Sequence, residues 1–174
     1  MSIDYYNNNA SAFHADTADV DMSALYQEFL PLLPAGAHII DAGCGPGRDA
    51  MAFQSQGFRV TAFDASEALI DIARQRLGAD LAVQATFLEF SAQEPVDAIW
   101  ACASLLHVPF HDLARTFWHL AKQLKKGGLF YCSFKYGDDE SERGGRRFTN
   151  LNEARLHEVL AESDLAVKKN MDYW

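Results

Sequence analysis

No stretch of the 174-residue sequence is apolar for the ~20 residues that a membrane-spanning helix needs. The first residues, Met1-Ser2-Ile3-Asp4-Tyr5, lack the basic-then-apolar order of a secretory signal. A cytoplasmic location without a membrane partner is therefore expected. Cysteine is scarce: Cys44, Cys102 and Cys132 are the only three, and no CxxC pair occurs. That argues against a disulfide framework or a zinc site and for free, buried thiols. There is no internal repeat or low-complexity tract, since Asn7-Asn8-Asn9 is too short to count. Positive charge is also short, with a net charge of −9. An acidic chain without a basic stripe is a poor nucleic-acid binder. The one basic cluster, Arg143-Gly144-Gly145-Arg146-Arg147, is too small to track a phosphate backbone, but it could hold one anionic small molecule.

The chain is 49% apolar, which suits a globular protein, and its length fits one domain over 1–174. Its most informative stretch is Ile39-Ile40-Asp41-Ala42-Gly43-Cys44-Gly45-Pro46-Gly47-Arg48-Asp49. An apolar run meets an acid, then glycines at alternate positions, then a helical pattern. This reads as a strand, a tight turn and a helix start. Glycine lets the backbone take positive φ and lets a ligand lie against the main chain. The helix N-terminus that follows favours negatively charged ligand groups. A second strand, Phe58 to Phe63, ends in Asp64, where an acid can accept hydrogen bonds from a ribose diol. A nucleoside-containing cofactor follows from the two together. A dinucleotide fingerprint would need its third glycine where Arg48 stands, and an arginine there obstructs close helix–strand packing.

Strand and helix patterns alternate along the chain. Strands are expected at 38–41, 59–63, 82–87, 98–101 and 129–134. Helices are expected at 25–33, 48–56, 67–77, 112–124 and 153–162, with a further strand at 165–171. Ser23 and Ser66 are N-cap candidates, Pro34 is a stop, and Gly57, Gly78 and Gly127 stand where helix C′ glycines belong. Such alternation implies an α/β fold: a doubly wound, mostly parallel sheet with helices on both faces. Ligands then bind at the carboxyl ends of the strands, where the strand order reverses. Residues 1–34 read as an N-terminal segment and helix, 35–135 as the cofactor-binding core, 136–150 as a loop beside the site, and 151–174 as the last helix and strand.

The order acid-x-Gly-x-Gly-x-Gly at Asp41–Gly47 resembles motif I of the class I S-adenosylmethionine-dependent methyltransferases. Asp97 to His107 resembles that family's fourth strand and its exit, and Leu124-Lys125-Lys126-Gly127-Gly128-Leu129 its turn into strand five. The resemblance covers roughly the whole chain. Within the superfamily, Gly-Cys-Gly-x-Gly-Arg-Asp, the run from Trp100 to Pro109 and Ser-Phe-Lys-Tyr-Gly resemble the tellurite-resistance-related group. The resemblance implies a Rossmann-like methyltransferase fold, S-adenosyl-L-methionine as cofactor and a small-molecule acceptor. It implies cofactor contacts from Tyr6, Asp41, Gly43, Gly45, Gly47, Arg48, Asp64, Ala65, Phe87 and Ala101. The N-terminal segment with Tyr5, Tyr6 and Phe13 becomes a lid, and Arg146 and Arg147 become substrate residues. Where many members carry an acid for the adenine amine, this chain has only Glu89 nearby. The strand-four exit reads Ala-Cys-Ala-Ser, not [DN]-P-P-[YF], which argues against amino-methylation of nucleic acid or glutamine.

A sulfonium methyl is already activated, so holding the nucleophile in line can supply ~7–11 kcal/mol without any base. No catalytic residue is demanded. His107 is the one candidate general base, for a thiol, hydroxyl or amine acceptor, and local packing is its alternative role. His111 and Asp112 beside it do not make a metal site. Two other readings remain open: a cofactor-binding module without turnover, and a nicotinamide oxidoreductase, which lacks any hydride-transfer constellation. The family's final antiparallel strand has no counterpart in these 174 residues. Strand five is almost wholly apolar and is expected to be central. Its outer edge would be covered by 165–173 or by a second copy, giving a monomer or a homodimer.

Overall fold

Ile39 and Ile40 are adjacent, fully buried, and point to opposite faces of the sheet they sit in. The computed structural model describes residues 2–161 and 163–169. Strands β1 (His38–Ala42), β2 (Arg59–Asp64), β3 (Ala82–Gln84), β4 (Val96–Ala101) and β5 (Leu124–Cys132) form one parallel sheet in the order β3-β2-β1-β4-β5. The helices are α1 (Ser2–Thr17), α2 (Ser23–Phe29), α3 (Arg48–Ser55), α4 (Glu67–Leu77), α5 (Phe110–Ala121) and α6 (Glu153–Leu160). Phe29 of α2, Phe53 of α3 and Ile70 of α4 pack with Ile39 and Trp100 on one face. Leu113, Phe117 and Leu120 of α5, spaced i, i+4, i+7, pack with Val159 of α6, Ile40 and Ile99 on the other. The chain runs outward from β1 to β3, then returns to the far side of β1 at β4. The reversal between β1 and β4 opens a crevice at the carboxyl edge, where such sheets bind ligands.

Several expectations need correction. Residues 136–150 are not an irregular loop: Glu140–Arg143 (β6) and Arg146–Thr149 (β7) form an antiparallel hairpin. Gly144 (φ 57°) and Gly145 (φ 76°) make its two-residue turn, with Arg143 opposite Arg146. The N-terminal segment is a helix from Ser2, bent at Asn9 (φ −125°, ψ 16°), whose amide donates to the Tyr5 carbonyl at 2.8 Å. That side-chain bond competes with the helical ladder there. Ser23 does not cap α2; the Asp21 carboxylate accepts the Ser23 N–H instead, at 2.9 Å. Ser66 does cap α4, accepting from the Leu69 N–H at 3.3 Å. β3 stops at Gln84, so Phe87 lies on a turn rather than in the strand. α5 starts at Phe110 and ends at Ala121, so Gly127 closes no helix. β5 instead begins at Leu124, and Lys125–Gly128 form an irregularity where the register jumps from Val96↔Leu124 to Ala98↔Leu129.

β5 is the outer strand of the sheet among the described residues. Its apolar content comes from its two covered faces: Phe29 meets Tyr131 at 6.0 Å between ring centres, and Phe117 meets Phe130 at 5.3 Å. Residues 165–169 form no strand beside it, and 170–173 lie outside the described residues. The three cysteines are free thiols, Cys44 buried, Cys102 and Cys132 partly so. Burial pushes the Cys132 thiol up to about 12.

Candidate active site

The turn after β1 is held by backbone geometry that only glycine accepts easily. Gly43, Gly45 and Gly47 have φ of 74°, 54° and 80°. The N–H groups of Gly43 and Cys44 both donate to the Phe63 carbonyl at 2.9 Å. Gly47 starts α3, and a Cβ there would meet Leu77 of α4 at 3.1 Å. Gly43 is tighter still: a Cβ would lie 2.5 Å from the Ser104 Cβ and 3.3 Å from the Phe87 ring. Ser104 is fixed in turn by donating to the Ala42 carbonyl at 2.7 Å. Gly45 is looser, with only the Phe13 ring at 3.5 Å. Gly43→Ala is therefore expected to lower the melting temperature by about 5 °C or more, from ~1–3 kcal/mol of strain plus the clash. Gly45→Ala should cost clearly less. Equal losses in thermal melts would show that the Ser104 contact does not matter.

Asp64 ends β2 at this turn. Its carboxylate accepts the Gly45 N–H at 2.9 Å and the Ser66 N–H at 2.8 Å. Burial raises its pKa, against the N–H groups of Ser66, Gly45 and Ala65 that favour the charge. Asp64 and Ala65 both stay partly exposed. A carboxylate acceptor that suits a ribose diol thus stands beside the glycine turn, whose missing Cβ atoms let Phe87, Ser104 and Phe13 pack close against it. Phe87 lies over Gly43 and meets Phe63 edge-on at 5.8 Å. Glu89 is turned back on its own loop, accepting from the Thr86 N–H at 3.0 Å and hydroxyl at 2.8 Å. Ala101, at the end of β4, is fully buried in the core. Beyond it Ala103 takes φ 49°, and its N–H donates to the Ser133 hydroxyl at 2.7 Å.

Two acids behind the turn hold it from below. Asp41 is buried and accepts the Ala50 N–H of α3 at 3.0 Å. Burial, and then the Asp49 charge, hold its carboxyl well above the usual range. Asp49 receives the Tyr26 hydroxyl at 2.6 Å, the Arg48 Nε at 2.7 Å and the Trp100 Nε1 at 2.8 Å. Arg48 is thus occupied by Asp49, with a longer contact to the Thr17 carbonyl at 3.4 Å. Asp49 itself was missed. Its signal was available: it shares a helix face with Phe53, four residues on, and both are buried.

α1 crosses the carboxyl edge above all this. Asn7 accepts the Ser66 hydroxyl at 2.7 Å, and Ser2 accepts the Arg147 N–H at 3.0 Å. Phe13 packs on Gly45, and Tyr6 meets Phe13 edge-on at 5.1 Å. The Tyr6 hydroxyl is 2.8 Å from Nε2 of His107, whose Nδ1 is 2.6 Å from the Arg147 carbonyl. A carbonyl only accepts, so Nδ1 carries the proton and Tyr6 donates to Nε2. Arg146 lies 4.5 Å over the Tyr5 ring, beside the Tyr6 hydroxyl, with its Nε buried and unpartnered. Arg147 differs: its side chain is exposed and pairs with Glu140 at 3.4 Å, and only its backbone joins the site. His111 is separate, on the exposed side of α5 with Asp112 at 3.4 Å.

Residues 14–167 match the model of a family described as a methyltransferase domain. The chain belongs to that family. It is a methyltransferase by domain. It is 40% identical over 84 residues to trans-aconitate 2-methyltransferase of Paracidovorax citrulli, covering 46% of this chain and 32% of that protein. It is 33% identical over 103 residues to a ubiquinone biosynthesis O-methyltransferase of Coxiella burnetii, covering 56% and 43%. The chain thus spans less than half the length of these two relatives. Among solved structures, the 1,6-didemethyltoxoflavin-N1-methyltransferase of Burkholderia thailandensis, with S-adenosylhomocysteine bound, superposes with a TM-score of 0.69. That match covers 91% of this chain and 72% of that one at 22% identity, a likeness of fold. No described helix is long and apolar enough to cross a membrane.

Proposed function

We propose that this chain transfers the methyl group of S-adenosylmethionine to a small-molecule acceptor. The observation that carries the reading is the Asp64 carboxylate clamped to the Gly45 N–H at the glycine turn, with α1 closing over it. When bound, the cofactor would supply an electrophilic methyl group, with its thioether as leaving group, to the acceptor's nucleophile. The chain's part is to hold the two partners and keep water out, which proximity makes effective. Gly43, Gly45, Asp64, Ala65 and Phe87 are the proposed cofactor contacts, with Tyr6 and Phe13 above them. Asp41, Gly47, Arg48 and Ala101 support the site from behind.

Arg146 is the proposed acceptor residue. It is a guanidinium with a buried, unpaired Nε beside Tyr6, in an acidic chain. A planar fork of donors suits an anion, and lysine does not replace it. Arg146→Lys is expected to raise acceptor KM about tenfold or more while S-adenosylmethionine affinity stays unchanged. Equal loss of both would remove the arginine from the acceptor side. The motifs shared with the tellurite-resistance-related group put chalcogen oxyanions on the acceptor panel beside organic acids and phenols. Release of S-adenosylhomocysteine on that panel tests the reading. Tight cofactor binding with no release from any acceptor would favour a binding module instead.

A further inference from the structure

Three elements meet at one point above the glycine turn. α1 brings Tyr6, a 3-10 turn at Leu105–His107 brings His107, and β7 brings Arg146 and the Arg147 carbonyl. Tyr6 reaches from Phe13, on Gly45, to His107, and the Asp64 charge is felt at its hydroxyl. The ring of His107 also meets Phe148 at 5.2 Å. The imidazole is held at both nitrogens, with its Nε2 lone pair on the Tyr6 hydroxyl of α1 and its Nδ1–H on the Arg147 carbonyl of the hairpin.

We propose that Tyr6 and His107 form a proton-accepting pair, and that the acceptor it serves presents a hydroxyl with an anionic group beside it for Arg146. The proposal rests on the methyl-transfer reading and narrows its acceptor. A carboxylate acceptor is already ionised at neutral pH and gives up no proton. A neutral imidazole aimed through a tyrosine has work only when the nucleophile carries one. The proton on the acceptor oxygen passes to the Tyr6 oxygen while the Tyr6 proton passes to Nε2. His107 becomes an imidazolium whose Nδ1–H stays on the Arg147 carbonyl. The positive charge lost by the sulfonium reappears there, so the step balances.

The surroundings keep the resting ring neutral and so open to a proton, while making it a weaker base than a free imidazole. Burial lowers the His107 pKa, with Arg146 and Lys135 acting the same way and the Arg147 carbonyl opposing them. Burial raises the Tyr6 pKa, against Arg146 and helped by Asp64 and Tyr5, so Tyr6 relays a proton and does not hold the charge. Removing the Tyr6 hydroxyl takes away a donor to the neutral imidazole, so the His107 pKa should rise in Tyr6→Phe.

Nitrogen-15 NMR of the full chain bound to S-adenosylhomocysteine reads the pair without any acceptor. The expected result is a neutral His107 with its proton on Nδ1 at pH 7, and a higher pKa in Tyr6→Phe. A protonated ring at pH 7, a proton on Nε2, or an unmoved pKa overturns the proposal. Turnover is read with two probes, 3,4-dihydroxybenzoate and trans-aconitate. With the phenol, His107→Ala should lower kcat by about 10²–10⁴ with acceptor KM and cofactor affinity nearly unchanged. The acidic limb of the kcat profile, where wild-type activity rises as His107 loses its proton, should vanish in that variant. A wild-type pH profile in His107→Ala, or turnover of trans-aconitate alone, overturns the proposal. If neither probe turns over while calorimetry shows the cofactor bound, the methyl-transfer reading loses support for these acceptors, and the NMR result decides the pair.

Discussion

Asp49→Ala is expected to destabilise the fold by about 3–5 kcal/mol, because it strips the shared partner from a half-buried cation, a half-buried hydroxyl and a fully buried indole N–H. The Asp49 side chain is 7% exposed and that of Arg48 22%. Three donors converge on it from α2, α3 and β4, at 2.6, 2.7 and 2.8 Å. Burial, and then the Asp49 charge, hold the Tyr26 hydroxyl protonated far above its usual range, so it stays a donor. Trp100 is fully buried and stacked on Tyr131 at 3.9 Å, so its indole N–H cannot turn to water. The melting temperature should fall by about 10 °C for a domain of this length. Asp49→Asn can keep a carbonyl oxygen for Tyr26 and Arg48 but then turns its amide toward the Trp100 N–H, and should lose about half as much. A loss below about 1 kcal/mol in Asp49→Ala would mean that the three donors find other partners.

The same network shows why some features were legible in the sequence and others not. β1, β2, β4, α3 and α4 announce themselves through local apolar periodicity punctuated by Gly43, Gly57 and Gly78. The glycine turn and Asp64 carry their chemistry in adjacent residues. Asp49 does not: Tyr26 and Trp100 are far from it in the chain, and only folding unites them. α1 is polar with little amphipathic pattern, and its position comes from tertiary bonds such as Asn7 to Ser66. The hairpin was hidden because Glu140–Arg143 and Arg146–Arg147 are charged. Yet Gly144-Gly145 between two short extended runs is a two-residue turn signal that reads correctly in hindsight. β5 misled in the opposite way. An apolar strand is buried on its faces, and faces say nothing about which edge is paired.

Asp64→Ala should weaken S-adenosylmethionine binding by about 100-fold while the protein stays folded, because charged acceptors contribute ~1.5–3 kcal/mol per hydrogen bond. The loss has two sources. The proposed ribose contacts disappear, and the Gly45 N–H and Ser66 N–H lose the carboxylate that aligns the turn with α4. The pH signs separate them. Burial sets the folded-state pKa of Asp64 above its unfolded value. The folded protein then holds more protons than the unfolded one between those two values, so this group's contribution to stability falls as pH rises through that window. Cofactor affinity runs the other way, since only the ionised carboxylate accepts two hydroxyls, and it should weaken as pH falls through the folded-state pKa. Titration calorimetry at a series of pH values from neutral down into the acid range should show that decline in the wild type and not in Asp64→Ala. Unchanged affinity in the variant, or the same pH decline in both, would place the ribose elsewhere.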